Sequence, residues 1–305
     1  MTAVCSEPFY ADRMECVDSH LEQVVAVARD TYRVRIAAPT IAASVVPGQF
    51  VMIRLTGRDA PLIGRALAVW DVIDDADGVP RAIDLVFVRK GAMTTPLAKA
   101  PIGTAVSLWG PLGNGFATTP CDELIMAVGG IGQTPMLMVA KEALGLRSYG
   151  QAADSNSAAN RPAGRWAGSV TLVYGARSSD LLAGVDDFRA TGIGVDLCTD
   201  DGSIGPAMRV PDRLTEIIDQ RLAAATPADR IRVVTCGPEI MMRKVAEACI
   251  ARGSPAQVSM ETPMACGIGV CFSCVAMVRP SAAEPWDYKR TCVEGPIFDA
   301  SKIVW

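Results

Sequence analysis

Short stretches of β-branched and aromatic residues, separated by turn signals, fill the first third of the chain. Six stretches predict strands, at residues 23–28, 32–37, 50–56, 66–73, 83–89 and 104–109. Pro47-Gly48 and Asp77-Gly78 supply turn signals between them. Because no long helical pattern separates these strands, they indicate a closed antiparallel barrel.

The pattern changes after residue 121, where apolar strands alternate with helical stretches. Strands are predicted at residues 123–128, 169–174, 194–199 and 231–236, and helices at 135–146, 180–190, 211–225 and 238–252. This alternation is typical of a parallel sheet with crossover helices. Residues 147–167 contain few large apolar side chains and are interpreted as a flexible surface insertion.

The chain of 305 residues is long enough for more than one domain. We expect a multi-domain β plus α/β protein, with an N-terminal extension (1–20), a barrel (21–116), an α/β domain (117–253) and a C-terminal segment (254–305). That last segment is rich in Cys, Gly and Pro and is too short for a hydrophobic core of its own. We therefore expect something other than burial to hold it together.

Charge and histidine content exclude several classes of function. The 29 basic and 33 acidic residues give a net charge of −4, and no long basic run is present, so a nucleic-acid partner is not expected. His20 is the single histidine, which removes most triad and multi-histidine metal chemistry. Residues 1–21 lack a signal-peptide pattern. Two longer uncharged segments, residues 100–121 and 124–140, are not expected to span a membrane, because glycine and proline interrupt both and the second is also too short. A cytoplasmic location is expected, where thiols stay reduced.

The strongest chemical signal is a cluster of cysteines near the C-terminus. Cys266, Cys271 and Cys274 have C-x4-C-x2-C spacing and are followed by Cys292, which matches the ligand run of plant-type 2Fe–2S clusters. The alternative is structural zinc, which usually takes paired C-x2-C knuckles or histidine. The remaining cysteines are interpreted mostly as small buried apolar residues: Cys5, Cys16, Cys121, Cys198, Cys236 and Cys249.

Glycine-rich turns follow several of the predicted parallel strands. Amides at a helix start, together with the positive end of the helix dipole, can bind a pyrophosphate. Such turns lie at the carboxyl ends of strands, where ligands of open α/β sheets bind. A glycine turn without a ligand is the alternative. The dinucleotide site is predicted at Gly129, Gly130, Gly132, Thr134, Cys236, Gly237 and Pro238.

The order of these motifs resembles the ferredoxin–NADP reductase-like flavoproteins. The resemblance rests on the runs beginning at Pro47, Arg65, Gly110, Gly129 and Tyr174 and on the Cys-Gly-Pro turn, in that order. The appended cysteine segment narrows it to the electron-transfer subunits of dihydroorotate dehydrogenase B. This resemblance implies a Greek-key flavin barrel, a nucleotide-binding sheet and a small iron–sulfur segment.

The resemblance also implies the cofactors and their contacts. FAD, a 2Fe–2S cluster and NAD as electron acceptor are expected, with no catalytic acid or base from the protein. The flavin motif of the family, Arg-Pro-x-Ser, reads Arg65-Ala-Leu-Ala68 here, so its proline and serine are replaced. The implied flavin contacts are Arg65, Ala66, Leu67, Ala68, Val86, Phe87, Val88, Met93 and Thr94.

The implied activity belongs to pyrimidine biosynthesis. A catalytic dihydroorotate dehydrogenase subunit would deliver electrons, which would cross the cluster to FAD and leave as hydride to NAD⁺. The partnership would be a heterotetramer with two copies of each subunit. Two alternatives stay open: an NAD(P)H reductase that serves a different oxidoreductase, and a non-redox protein that binds zinc and a nucleotide.

Overall fold

A six-stranded antiparallel barrel forms the first half of the protein. The computed structural model describes residues 14–58, 60–150, 161–281 and 283–305. The barrel strands are β1 (Glu15–Ala28), β2 (Thr31–Ala37), β3 (Phe50–Leu55), β4 (Arg65–Asp74), β5 (Pro80–Val88) and β6 (Ala105–Leu112). They close in the order β1-β2-β5-β4-β3-β6, in which β2 lies beside β5. This is the Greek-key arrangement, as expected.

Two differences from the sequence-based expectation concern the barrel. Residues 15–20, expected in an N-terminal extension, are part of β1 and pair with β6 from Glu15 to His20. This half of β1 is largely exposed, so its hydrophobic pattern is weak. Helices α1 (Pro39–Ser44) and α2 (Gly91–Leu97) were not expected; six or seven residues are too few to show helical periodicity.

A six-stranded, mostly parallel sheet forms the second half. Four of its strands are β7 (Cys121–Gly129), β8 (Ala167–Ala176), β9 (Gly194–Thr199) and β10 (Ile231–Cys236). The helices around it are α3 (Met136–Ala143), α4 (Val185–Ala190), α5 (Val210–Ala223) and α6 (Glu239–Arg252). The sheet order places β7 between β10 and β8. Strands β8 and β9 therefore lie on one side of β7, and β10 lies on the other. Such a switch point is where open α/β sheets bind ligands.

The C-terminal segment belongs to the two larger units rather than standing alone. Its strands β11 (Ala256–Ser259) and β14 (Ile297–Asp299) extend the sheet beyond β10, and β14 is antiparallel to β11. The segment also carries a hairpin of β12 (Val275–Val278) and β13 (Asp287–Arg290). A boundary at residue 254 therefore does not separate independently packed units.

Burial, contrary to expectation, holds the C-terminal segment in place. Cys274 and Cys292 share one apolar cluster with Phe50, Met52 and Leu112 of the barrel. A second apolar cluster joins the segment to α6. Sequence composition could not show the packing on the barrel, because the apolar partners in the barrel are distant in the chain.

The base of the predicted insertion is anchored. Tyr149 is buried, and the guanidinium of Arg147 donates to the carbonyl of Val72 in the barrel. Arg161 makes a two-pronged ion pair with Glu142 at the end of α3. Residues 147–150 and 161–167 are thus held by the surrounding structure, and residues 151–160 lie outside the described residues.

Aromatic packing and ion pairs fix the barrel against the sheet. Trp70 of β4 meets Phe188 of α4 edge to face, with ring centroids 5.3 Å apart. Lys141 pairs with Asp71, and Arg33 lies 3.4 Å from Asp187. Among the described residues, no helix combines the length and the hydrophobicity needed to cross a bilayer.

Candidate functional site

A cleft of about 690 Å³ opens at the carboxyl ends of β7, β8 and β10. Of the predicted dinucleotide residues, Gly129, Gly130 and Pro238 line this cleft. Tyr174 of β8 and Arg177, which directly follows that strand, line it as well. The structure therefore brings three separate sequence motifs to one cavity, which is large enough for a dinucleotide-sized ligand.

The two glycines at the end of β7 have different surroundings. Gly130 has a φ of +56° and no atom within 4 Å of where a Cβ would stand, so its backbone faces open space. A Cβ on Gly132 would lie 2.2 Å from the carbonyl oxygen of Cys236. Of these two predicted contact residues, Gly130 has the open surroundings that close approach of a pyrophosphate would need, and Gly132 does not. Gly132 lets the two glycine turns pack against each other.

The Cys-Gly-Pro turn packs into the same junction. A Cβ on Gly237 would lie 3.0 Å from backbone atoms of Gly129, and φ at Gly237 is +147°. Thr134 is buried and, like Cys236 and Gly237, does not line the cleft. These three predicted contact residues therefore lie on the interior side of the turns and not on the side that faces the cleft.

Cys236 faces a carboxylate that the sequence did not single out. Its thiol lies 3.7 Å from Oε1 of Glu261, which follows β11. Burial raises the pKa of the Cys236 thiol well above its usual value, with the nearby Glu261 charge adding to it. Desolvation by surrounding protein also raises the pKa of Glu261, against the opposing effect of the Arg65 charge. Both groups are thus neutral over a wider pH range than in water.

Three cations line the cleft without an acidic partner in the described part of the chain. They are Arg177, Arg209 and Lys244, and Asp200 is also in the lining. Unpaired cations in a cleft favour anionic ligands such as phosphate groups. The cleft therefore has the charge as well as the size for a dinucleotide.

The predicted flavin strand is β4. Arg65 begins this strand with an exposed side chain, and residues 66–68 are half-buried. The backbone of Arg65 pairs with Ile53, and that of Ala68 with Phe50. The exposed guanidinium is thus free to bind a phosphate in a two-pronged manner.

Alternation along β5 separates the other predicted flavin contacts. Phe87 points into the barrel and stacks on Tyr32 at 6.2 Å, while Val88 is exposed and lines the cleft. Val86 is buried in the core that the barrel shares with the sheet. Successive strand residues face opposite sides, so the side chain of Phe87 points away from the side on which Val88 is exposed.

The Met93-Thr94 pair lies in α2. Met93 is buried in the barrel core. The Thr94 hydroxyl accepts a bond of 2.7 Å from the Lys90 amide and donates one of 2.6 Å to the Lys90 carbonyl. That hydroxyl is therefore engaged within the protein, and it is the start of α2, rather than these side chains, that faces outward.

The loop that carries the first three predicted ligands, residues 266–274, is called the cysteine loop and packs closely on the barrel. Gly267 and Gly269 have φ values of +76° and +80°. A Cβ on Gly267 would lie 2.7 Å from Met52, and one on Gly269 would lie 2.6 Å from Val293. Both glycines are thus required by conformation and by space, as a loop wrapped around a cluster would need.

The four predicted ligands lie as two neighbouring pairs. Burial raises the pKa of Cys266, but backbone amides of Cys271 and Ile268 outweigh it and bring that pKa down to about 7. Hydrogen bonding with Cys292 lowers the pKa of Cys274 to about 5 and raises that of Cys292. No three His, Cys, Asp or Glu side chains of the described residues converge around a single point.

This donor set fits a two-iron cluster. Four thiols in two pairs would supply two ligands to each iron, and backbone amides aimed at the sulfur of Cys266 stabilise its thiolate form. The inner pair, Cys274 and Cys292, is buried; in the outer pair Cys266 is half-buried and Cys271 exposed. One pair of thiols therefore lies in the interior of the protein, and the other pair lies at or near its surface.

The remaining cysteines divide by burial. Burial raises the pKa of Cys121 and Cys198 to about 11 and that of Cys249 to about 12, as expected for unreactive core thiols. Cys16 was expected to be buried but is exposed on β1. Cys5 lies outside the described residues.

Sequence reasoning missed two side chains that support the cysteine loop. Trp109 of β6 donates from Nε1 to the Cys266 carbonyl at 2.9 Å. Thr291 donates from its hydroxyl to the Cys274 carbonyl at 3.0 Å. Thr291 could have been noticed for its position directly before Cys292, whereas nothing in the sequence connects Trp109 to a loop 157 residues away.

Comparison with known proteins agrees with this arrangement. Residues 18–116 match the oxidoreductase FAD-binding domain, and residues 261–304 match the iron–sulfur cluster binding domain of dihydroorotate dehydrogenase B. The chain is 31% identical to the dihydroorotate dehydrogenase B (NAD(+)) electron transfer subunit of Desulforamulus reducens, over 94% of this chain and 98% of that one.

The chain belongs to this family of electron-transfer subunits. The corresponding subunit of Geobacillus kaustophilus is also 31% identical, over 91% of this chain and 94% of its own length. A solved chain from an NADH-dependent reduced ferredoxin–NADP oxidoreductase superposes with a TM-score of 0.72, at 25% identity over 94% of this chain and 90% of that one. The expected family and fold are therefore confirmed.

The contrast between the two glycines gives a first prediction. Gly132→Ala forces a Cβ against the Cys236 carbonyl, and we expect the free energy of unfolding to fall by ~3 kcal/mol. Gly130→Ala meets no atom and costs only about 1 kcal/mol of backbone strain. Denaturant unfolding of both variants, followed by circular dichroism, measures the difference. Equal losses for the two would contradict the assignment.

The cysteines give a second prediction. Cys292→Ser removes one of four proposed cluster bonds and is expected to abolish bound iron and labile sulfide. Reduction of FAD by NADH should survive, because the barrel and cleft do not use this thiol. Cys249→Ser, a buried thiol in α6, is the matched control and should keep its iron. Normal iron in Cys292→Ser, or iron loss in Cys249→Ser, would overturn the ligand assignment.

Proposed function

We propose that this protein carries electrons between a dihydroorotate-oxidising catalytic subunit and NAD⁺ in the cytoplasm. The observation that carries the proposal is the junction of its three candidate sites. Ala66 of the flavin strand packs in the same apolar cluster as Cys274 and Cys292. Glu261 of the C-terminal segment contacts the thiol of Cys236, which lies behind the nucleotide cleft. The C-terminal segment thus contacts both the flavin strand and the turn behind the nucleotide cleft.

Each part of the chain has a separate task in this proposal. Arg65 binds the phosphates of FAD, the amides around Gly130 bind the pyrophosphate of NAD, and the four cysteines hold a 2Fe–2S cluster. When bound, FAD supplies the conversion between hydride transfer and single-electron transfer. The protein orients these groups and excludes water, and it needs no general acid or base.

The catalytic partner is proposed to dock over the outer half of the cysteine loop. Val270 and Phe272 of this loop are 74% and 63% exposed, and Trp286 and Tyr288 of the neighbouring hairpin are also exposed. Exposed aromatic and aliphatic side chains grouped around one feature are typical of protein interfaces. Docking there puts the partner against Cys271, in an assembly that we propose contains two copies of each subunit.

A second candidate function is reduction of a different oxidoreductase partner by NAD(P)H. The similarity to the NADH-dependent reduced ferredoxin–NADP oxidoreductase supports it, and so do the three unpaired cations of the cleft. The zinc-binding alternative is disfavoured, because the matched C-terminal domain is described as iron–sulfur cluster binding.

The deciding experiment is purification with the catalytic subunit, followed by dihydroorotate:NAD⁺ assays under anaerobic conditions. We expect a yellow-brown complex with flavin and iron–sulfur absorbance that reduces NAD⁺ at the expense of dihydroorotate. The Phe272→Asp variant should keep its cofactors but lose the partner. A complex that forms normally without any dihydroorotate-dependent NAD⁺ reduction would refute the proposal in favour of the second candidate.

Arg65 tests the flavin site. Arg65→Ala removes two charge-assisted hydrogen bonds to a phosphate, so FAD affinity should fall about 100-fold. Arg81→Ala, at the opposite end of the β4–β5 pair, breaks a surface ion pair with Glu22 and serves as the control. Fluorimetric FAD titration of the two variants decides the matter. Unchanged affinity in Arg65→Ala would remove this arginine from the site.

A further inference from the structure

Two threonines connect the residues beside the nucleotide cleft to the inner half of the cysteine loop. The hydroxyl of Thr262 is hydrogen-bonded to the hydroxyl of Thr291. Thr262 directly follows Glu261, and Thr291 directly precedes Cys292. Thr291 is completely buried, so its polar contacts are not shared with solvent.

The direction of this short chain of hydrogen bonds is determined. The Thr291 hydroxyl donates its proton to the Cys274 carbonyl, and the Thr291 amide donates to the same carbonyl at 2.7 Å. Because a hydroxyl has one proton, Thr291 must accept the bond from Thr262. Thr262 therefore donates to Thr291, and Thr291 donates to the Cys274 carbonyl. The other inner cysteine, Cys292, is the residue that follows Thr291.

The other end lies near the start of the flavin strand and near the turn behind the cleft. Glu261 contacts the Cys236 thiol, and the Arg65 charge acts on its carboxylate. Ala66, the next residue of the flavin strand, packs with Cys274 and Cys292. The threonine pair thus connects the residues near the flavin strand with the inner cysteines. Neither threonine is itself a predicted metal ligand.

We propose that Thr262 and Thr291 are positioning residues for electron exchange between the flavin and the cluster. This inference rests on the proposed function. Electron transfer between bound cofactors slows steeply as their contact loosens, so a buried hydrogen-bonded link that fixes the inner thiols controls that step. In the outer pair, Cys266 is held separately, by the bond that Trp109 donates to its carbonyl.

The step itself is a one-electron transfer. NADH gives a hydride to the flavin and leaves as NAD⁺, so two electrons enter the protein together. One of these electrons passes to the cluster, which is thereby reduced by one electron, and the other stays on the flavin. The proposal concerns only this passage, which is separate from the hydride transfer in the cleft.

Anaerobic rapid mixing of the FAD- and cluster-containing protein with NADH tests the link. Flavin bleaching reports hydride transfer, and freeze-quench electron paramagnetic resonance reports cluster reduction. We expect Thr291→Val and Thr262→Val to keep the flavin phase and to slow cluster reduction about fivefold, the rate equivalent of one hydrogen bond. Thr291→Ser and Thr262→Ser keep the hydroxyls and should restore the wild-type rate.

Each result has one meaning. Wild-type cluster reduction in both valine variants, at full iron content, overturns the positioning role. If Thr291→Val loses iron, Thr262→Val decides, because it leaves the Thr291 bond to Cys274 in place. A wild-type protein whose cluster NADH never reduces refutes the proposed function itself, whereas normal wild-type reduction with unaffected variants refutes only this inference.

Discussion

Burial of Cys274 and Cys292 against the barrel is the constraint on which the rest of the site depends. The two thiols pack with Phe50, Met52 and Leu112, which belong to the paired barrel strands β3 and β6. This packing places the inner half of the cysteine loop against the predicted flavin strand. It leaves Cys271 at the surface, so the four predicted ligands have both a buried and an exposed side.

The fold could be predicted from the sequence wherever the signal was local. Six barrel strands, four parallel strands and the cysteine spacing were all read from short windows, and the structure contains each of them. Helices α1 and α2 were missed because they are shorter than two helical turns. The packing of the C-terminal segment on the barrel was missed for another reason, since its barrel partners lie more than 150 residues away.

The candidate site was predictable in its motifs but not in the roles of individual residues. Gly129, Gly130 and Gly132 belong to one motif, yet only their packing shows that Gly130 faces the cleft and Gly132 faces Cys236. Similarly, Phe87 and Val88 are neighbours that strand geometry directs to opposite sides. Motif matching locates a turn or a strand, whereas the assignment of each side chain needs the third dimension.

The edge strand β14 has a consequence for how the protein matures. This strand is among the last residues of the chain, and it pairs with β11, while Asn114 at the end of the barrel bonds to the backbone of Ile297. The cysteine loop is therefore enclosed between two units that are synthesised before it. Its inner thiols reach their final surroundings only after the barrel and the sheet have both folded, so the proposed cluster site is complete only when both units are in place.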